Sequence, residues 1–537
     1  MQQLFYIFVY AEMKHRRIFI VKKKILISFL AIAFAFQPLF ALGGSDGSTK
    51  NTDTVSGAGK AKYVFLFVAD GMGPSQFSAT EYYLASKDNI TNYNINRLRF
   101  TNFPVSGMTN THDYGSLITD SASAGTAFAS GRKTLSSMIN VDPRDGKTPY
   151  KSIAEYAKEA GMKVGIVSTV TLTHATPASF YAKTANRNNT DGNATEPVGL
   201  AQQLVESGFD YYAGGWIVSN SANNDKYLND ARNLGYTVTR TPTAFNMLTK
   251  SNNKVIALAE RVQDSGAMHY EIDRKPNDLS IVDFTRKGIE LLDNPNGFFF
   301  MVESGKVDWA GHANDAGALI HDMLVMDEAI EEAIQFYKKH PNETLIVVIG
   351  DHETGGMGVG WAGTAGIQAQ PGVSANLGMG YSIYFDKIAK QTKSYIAFDE
   401  EVVKPYKARV TNPSQRKFED LFPAILESFG IDLRPSSLNI SEFQKGQIEI
   451  AFKKTMEQAV SEPQEGWRVF HSSYEPLTVK LTQILNQVSG IGWTSYSHTA
   501  VPVASFAFGA HQEIFGGYYD NTEIFFKLAS AMNINVK

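Results

Sequence analysis

Asp308 and His312 lie four residues apart in the run from Glu303 to His312. On a helix that spacing puts both on one face, where they can share a metal ion. Asp351 and His352 are adjacent. Neighbours on an extended strand point to opposite faces, so these two can share an ion only where the backbone turns. Gly355 and Gly356 permit such a turn. His498, in Tyr496-Ser497-His498-Thr499, precedes an apolar run. Ser121, in Thr119-Asp120-Ser121-Ala122-Ser123, opens a small-residue stretch that reads as a helix start. Oriented N–H groups there favour an alkoxide and a bound phosphate, and beside a cation the serine becomes a nucleophile. Arg187 lies eleven residues beyond Thr176 of His174-Ala175-Thr176-Pro177, and a guanidinium can grip two phosphate oxygens at once. Each feature alone also fits a plainer role. The Asp308/His312 pair fits a solvated helix face, Asp351-His352 a strand cap and His498 a structural histidine. Ser121 fits an ordinary helix cap and Arg187 a surface arginine.

The elements that must position these residues are apolar runs ending in acids. Tyr63 to Ala69 runs into Asp70, Phe298 to Val302 into Glu303, and Thr344 to Gly350 into Asp351. Such runs predict strands buried on both faces of a parallel sheet, whose carboxyl ends carry ligands in open α/β folds. Three carboxylates brought to one edge repel each other, and cations are the natural way to hold them there. Further strands are predicted over 163–170 and 501–508, and helices over 152–160 and 314–339. The expected fold is α/β, a central mostly parallel sheet flanked by helices on both faces. Two stretches, 186–283 and 357–490, lack a clear period and read as elaborations of one core. The second interrupts the ligand set between His352 and His498. It is expected to form a lid or crown beside the site, contributing to substrate access or dimer contacts.

The chain has 537 residues, 43% of them hydrophobic, and a formal charge of -4. No basic stripe supports nucleic-acid binding. There are no cysteines, which excludes disulfides, thiolate metal sites and a cysteine nucleophile. Any metal must be held by His, Asp, Glu and hydroxyls. Lys14, Arg16, Arg17 and Lys22 to Lys24 precede an apolar stretch from Ile25 to Phe36. This reads as a secretory signal over 1–41, and its alternative is an uncleaved anchor. Residues 42–61 read as a Gly/Ser/Thr/Lys-rich linker, followed by one catalytic domain over 62–537.

Six motifs occur in one order: Asp70-Gly71-Met72-Gly73, Thr119-Asp120-Ser121-Ala122, His174-Ala175-Thr176-Pro177 with Arg187, Glu303 with Asp308 and His312, Asp351 to Gly356, and His498-Thr499 before Pro502-Val503. Together they resemble the alkaline phosphatase family, over about residues 62–508. The resemblance implies two Zn2+ and one Mg2+. Asp308, His312 and His498 would hold the first zinc, Asp351, His352 and Asp70 the second, and Asp70, Thr176 and Glu303 the magnesium. Ser121 would be the nucleophile and Arg187 the phosphate clamp, oriented by Asp120. The implied activity is hydrolysis of small phosphomonoesters through a phosphoserine. Phosphodiesterases, sulfatases and mutases on the same scaffold are the nearest alternatives. His174 and Trp309 depart from the enteric bacterial pattern and are similar to marine bacterial members with a large crown insertion. A neutral imidazole at 174 suits a water-mediated contact better than direct magnesium ligation, so the third site could hold another divalent metal. The expected location is periplasmic or secreted, with no stable membrane association after signal cleavage. The expected assembly is a homodimer.

Overall fold

The computed structural model describes residues 59–88, 94–219, 221–361, 383–460 and 466–536. The signal over 1–41 and most of the 42–61 linker lie outside the described residues. The linker's last residue does not behave as one: Ala61 is buried, and its N–H donates to Ala531 O at 2.8 Å. Among the described residues no helix is long and apolar enough to cross a membrane.

Among the described residues, ten strands form one sheet. In chain order they are β1 Tyr63–Ala69, β2 Val105–Asn110, β3 Lys163–Ser168, β4 Tyr211–Gly214, β5 Thr237–Thr239, β6 Val255–Leu258, β7 Phe298–Ser304, β8 Thr344–Gly350, β9 Val503–Gly509 and β10 Gly517–Asp520. Their spatial order is β10-β2-β9-β8-β1-β7-β3-β4-β6-β5. Every pairing is parallel except those of β9, which runs antiparallel to β2 and β8. The three runs that end in acids are the three central strands. Ala69 is level with both Ser304 and Gly350, so Asp70, Glu303 and Asp351 emerge together at one edge.

Alternation along β1 explains its unbroken apolar run. Val64, Leu66 and Val68 enter one core layer, while Tyr63, Phe65 and Phe67 enter the other. The first layer includes residues of the Ser121–Ser130, Ile153–Glu159 and Glu523–Ala531 helices, and the second those of the Ile281–Leu292 and Ala316–Tyr337 helices.

The stretch 186–283 departs from the sequence reading. It contains β4, β5 and β6, so it is the lateral part of the main sheet rather than an elaboration. These strands have three or four residues each, too few to show a period. The late strand begins at Val503, just past Pro502, not at 501. The long helix spans 316–337, because the Asp315 side chain caps it by accepting the Ala318 N–H at 3.0 Å. The described part of 357–490 is mainly helical and builds a third apolar cluster. Phe385, Phe398, Ile425 and Leu481 pack there with Ala79, Tyr83, Ala316 and Ile320 of the main body.

Candidate metal centre and nucleophile

Asp70 follows β1 and is fully buried. Gly71, at φ +78°, turns the chain, and a Cβ on it would lie 2.8 Å from the Asp308 Cα. Only glycine lets the Asp308 helix come this close. At the end of β8 the backbone turns, as the adjacent acid and histidine required. Asp351 Oδ1 accepts the N–H groups of Gly71 at 3.0 Å and His352 at 2.9 Å. His352 Nε2 then lies 3.2 Å from Asp351 Oδ2, 3.5 Å from Asp70 Oδ1 and 3.3 Å from Ser121 Oγ.

Asp308 and His312 share one face of the Lys306–His312 helix, with His312 Nε2 3.3 Å from Asp308 Oδ2. His498 sits on a two-residue strand paired to Glu353–Thr354. Its Nδ1 donates to Thr119 O at 2.8 Å, and His312 Nδ1 donates to Tyr496 O at 2.6 Å. These carbonyls assign the proton to Nδ1 in both rings, which leaves both Nε2 lone pairs free. The two Nε2 atoms face each other at 3.1 Å. Two lone pairs so close need a cation or a proton between them. Without metal a proton takes that place: burial opposes it, but Asp308 outweighs burial and raises His312 to about 9.

The carboxylates are under the same stress. Burial, then Asp351, Asp308 and Glu303, push Asp70 well above the usual carboxylate range. Burial raises Glu303 to about 8 and Asp351 to about 7. Asp70 Oδ1, Glu303 Oε1 and Asp351 Oδ2 are buried without a hydrogen-bond partner among the described residues. Such orphaned oxygens are what a hard cation would satisfy. Among the described residues, ligand atoms converge in three groups: Asp308, His312 and His498; Asp70, Asp308 and His352; and Asp70, His174 and Glu303. The first is the expected set. The second has Asp308 where Asp351 was expected, although Asp351 touches His352. The third includes His174, while the Thr176 hydroxyl lies 3.5 Å from Asp70 Oδ2.

Ser121 is the first residue of its helix and Asp120 the N-cap, whose Oδ1 accepts the Ser123 N–H at 2.9 Å. A Cβ at Gly125 would lie 2.4 Å from Ser179 Oγ and 3.0 Å from its Cβ, so this helix packs closely beside the Thr176 turn. Arg187 Nη1 donates to Asp120 Oδ2 at 2.9 Å and Nη2 to His174 Nε2 at 3.1 Å. Burial works against the Asp120 charge, but Arg187 and Ser123 outweigh it and lower the carboxyl. Burial, then Arg187, lower His174 to about 3, so it is neutral. An arginine can only donate, so His174 Nε2 is the acceptor and Nδ1 carries the proton. Trp309 packs edge-on against His174 at 5.8 Å.

Sequence reasoning missed several residues. Glu353 accepts from Gln76 Nε2 at 2.6 Å and from the Gly356 and Met357 N–H groups at 3.1 Å, so it anchors the turn rather than facing the ligands. Thr354 donates to Asp308 Oδ1 at 2.5 Å. Asp264, Ser265, Tyr395 and Tyr474 line the cleft beside Ser121, His174, Arg187, Asp308, Trp309, His312 and His498. Their positions are scattered through two stretches with no motif to mark them.

A family model described as alkaline phosphatase matches residues 61–214 and 226–534. Alkaline phosphatase 3 of Bacillus subtilis (strain 168) is 28% identical over 519 residues, covering 96% of this chain and 98% of the relative. The solved cold-active alkaline phosphatase of a psychrophilic Shewanella sp. is 26% identical with a TM-score of 0.68, covering 88% of this chain and 99% of its own. The Thermus thermophilus alkaline phosphatase is 25% identical with a TM-score of 0.69, covering 89% and 92%.

Proposed function

From the premise that this chain belongs to the alkaline phosphatase family, we infer that Ser121 is the nucleophile of a phosphomonoesterase and Arg187 its phosphate clamp. The observation that carries the reading is the convergence beside Ser121 of orphaned carboxylate oxygens and two facing imidazole Nε2 atoms. Asp308, His312 and His498 would hold one zinc, Asp70, Asp351 and His352 a second, and Asp70, Thr176 and Glu303 a magnesium. When bound, these metals supply Lewis acidity that favours the serine alkoxide and offsets charge on the departing alcohol oxygen.

The chain's own groups do the rest. Ser121 Oγ attacks phosphorus, the bond to the alcohol oxygen breaks, and the alcohol takes up a proton. Water then attacks the phosphoserine, releasing inorganic phosphate and restoring the hydroxyl. Two in-line displacements give retention at phosphorus. Arg187 offers two N–H groups to two phosphate oxygens, held in place by Asp120 and His174. With its proton on Nδ1, His174 can donate to a water near Asp70 and Glu303 but cannot ligate through that atom. This supports a water-mediated third site, in which a metal other than magnesium is the alternative.

We take residues 62–537 as one catalytic domain, with 357–490 an insertion whose Tyr395 and Tyr474 reach the cleft. The basic and apolar run over residues 14–36 supports export to the periplasm or beyond. A homodimer rests on the family resemblance alone. The test is phosphate release from an aryl phosphate at alkaline pH. Chelation should abolish it, and zinc with magnesium should restore it. Full activity in protein shown to be metal-free would overturn the reading.

A further inference from the structure

The cleft extends beyond the groups used above. It encloses 390 Å³, and Trp309, Asp264, Ser265, Tyr395 and Tyr474 form a wall that the hydrolysis does not employ. The wall is built rather than incidental. Asp264, Ser265 and Gly266 all have positive φ, at 46°, 64° and 89°. This left-handed turn is pinned by Gln263 N–H to Ala267 O at 2.8 Å and Trp216 N–H to Gly266 O at 2.9 Å. Two non-glycine residues in that region cost energy that the surroundings must offset, and such strain clusters at ligand sites.

The turn presents the Asp264 carboxylate. Its Oδ2 accepts the Tyr395 hydroxyl at 3.3 Å and lies 3.7 Å from the buried Lys306 ammonium. Its Oδ1 accepts no hydrogen bond from a described residue, and the side chain is 24% exposed. The Lys306 ammonium also faces Asp322 and Asp273 and lies 4.9 Å over the Trp309 ring, so Asp264 is not its sole partner. Tyr395 and Tyr474 meet edge-to-face at 5.8 Å. Burial, then Asp308 and Asp264, raise the Tyr474 phenol, and its neutral ring lines the same cleft as both carboxylates. Trp309 directly follows Asp308, so the wall begins beside one of the residues that would hold the first zinc.

We propose that this wall is a subsite for the alcohol portion of the substrate and selects phosphomonoesters whose alcohol carries an ammonium group. The inference rests on the monoesterase reading. Aromatic faces and one open carboxylate attract a cation, and quaternary ammonium groups are held by such rings. A neutral alcohol meets only the rings, and an anionic one is repelled by Asp264.

The experiment compares kcat/KM for phosphocholine and its neutral carbon isostere, neohexyl phosphate, with an aryl phosphate as reference, on the metal-loaded enzyme. Phosphocholine should exceed the isostere by roughly tenfold at low ionic strength. Asp264→Asn should bring that ratio towards one whatever its absolute rate, since asparagine also tolerates the left-handed region. Equal kcat/KM for the pair, with the aryl ester hydrolysed, overturns the subsite alone. A ratio unchanged in a folded Asp264→Asn also overturns it. Failure to hydrolyse any monoester, the aryl ester included, overturns the monoesterase reading and the subsite with it. The ratio in the unmutated protein decides the matter even if the variant does not fold.

Discussion

Ser121 and Arg187 depend on different supports, so their replacements should fail in different ways. Ser121→Ala removes only Oγ. The Asp120 cap, Arg187 and the proposed ligands do not rely on it, so fold and metal content should persist while most turnover is lost. Some hydrolysis by direct water attack should remain. Near-native kcat would show that Ser121 is not the nucleophile. Arg187→Ser bears on monoester against diester chemistry. A monoester offers three non-bridging oxygens and two negative charges, whereas a diester offers two oxygens and one charge. One of the positions Arg187 would grip then carries a second substituent. Losing the bidentate contact should cost monoester hydrolysis on the order of a few kcal/mol in kcat/KM, and diester hydrolysis less. Equal loss for a matched aryl pair would remove Arg187 as the discriminating clamp. The proposed ligands were legible in the sequence because each lies within a few residues of another chemical group or a strand end, whereas Arg187, eleven residues beyond Thr176, was marked only by the family pattern. Asp264, Lys306, Tyr395 and Tyr474 were not legible, since only the fold brings them together.

Legibility among the elements followed burial and length. β1, β7 and β8 are seven-residue runs covered on both faces, and their apolar letters marked them. β4, β5 and β6 carry only YYAG, TVT and VIAL, which a local window cannot tell from loop. The antiparallel direction of β9 is a matter of topology, which no local pattern records. The insertion's attachment was equally hidden, and it turns on Asp315. That side chain caps the Ala316–Tyr337 helix and also accepts Gln391 Nε2 at 2.7 Å and the Tyr395 N–H at 2.9 Å. Asp315→Ala removes a cap and leaves two buried donors unmatched, a loss of about 4 kcal/mol. The effect should concentrate where the insertion meets the core. Hydrogen exchange over 391–398 should quicken while exchange in β1 and β8 changes little, and kcat/KM for phosphocholine should fall as the Tyr395 wall loosens. Unchanged exchange over 391–398 would show that Asp315 does not anchor the insertion.

At the scale of the molecule, the site is a store of electrostatic strain that metal relieves, and its pH dependence follows. In the metal-free protein Glu303 titrates near 8 and Asp351 near 7, against ordinary values of 4.5 and 3.8, and His312 near 9 against 6.5. Each group holds its proton more tightly folded than unfolded. Its contribution is fully present below the unfolded value and is lost as pH rises through the folded one. His174 and His352 act in the opposite sense, because burial makes them neutral in the fold. Their effect ends near 6.5, where the unfolded imidazole also loses its proton. Between pH 6.5 and 9 only the raised groups of this set still change, so all of its slopes share one sign. Metal-free protein should lose stability steadily across that interval, on the order of 5 kcal/mol in total. Bound divalent ions would keep the carboxylates ionised and the imidazoles neutral, so the metal-loaded protein should be nearly flat over the same range. Melting curves of both forms at four or five pH values would check this. A metal-free protein as stable at pH 9 as at pH 6.5 would mean that the buried carboxylates are not held against their own repulsion. The case for a cation site would then lose its electrostatic ground.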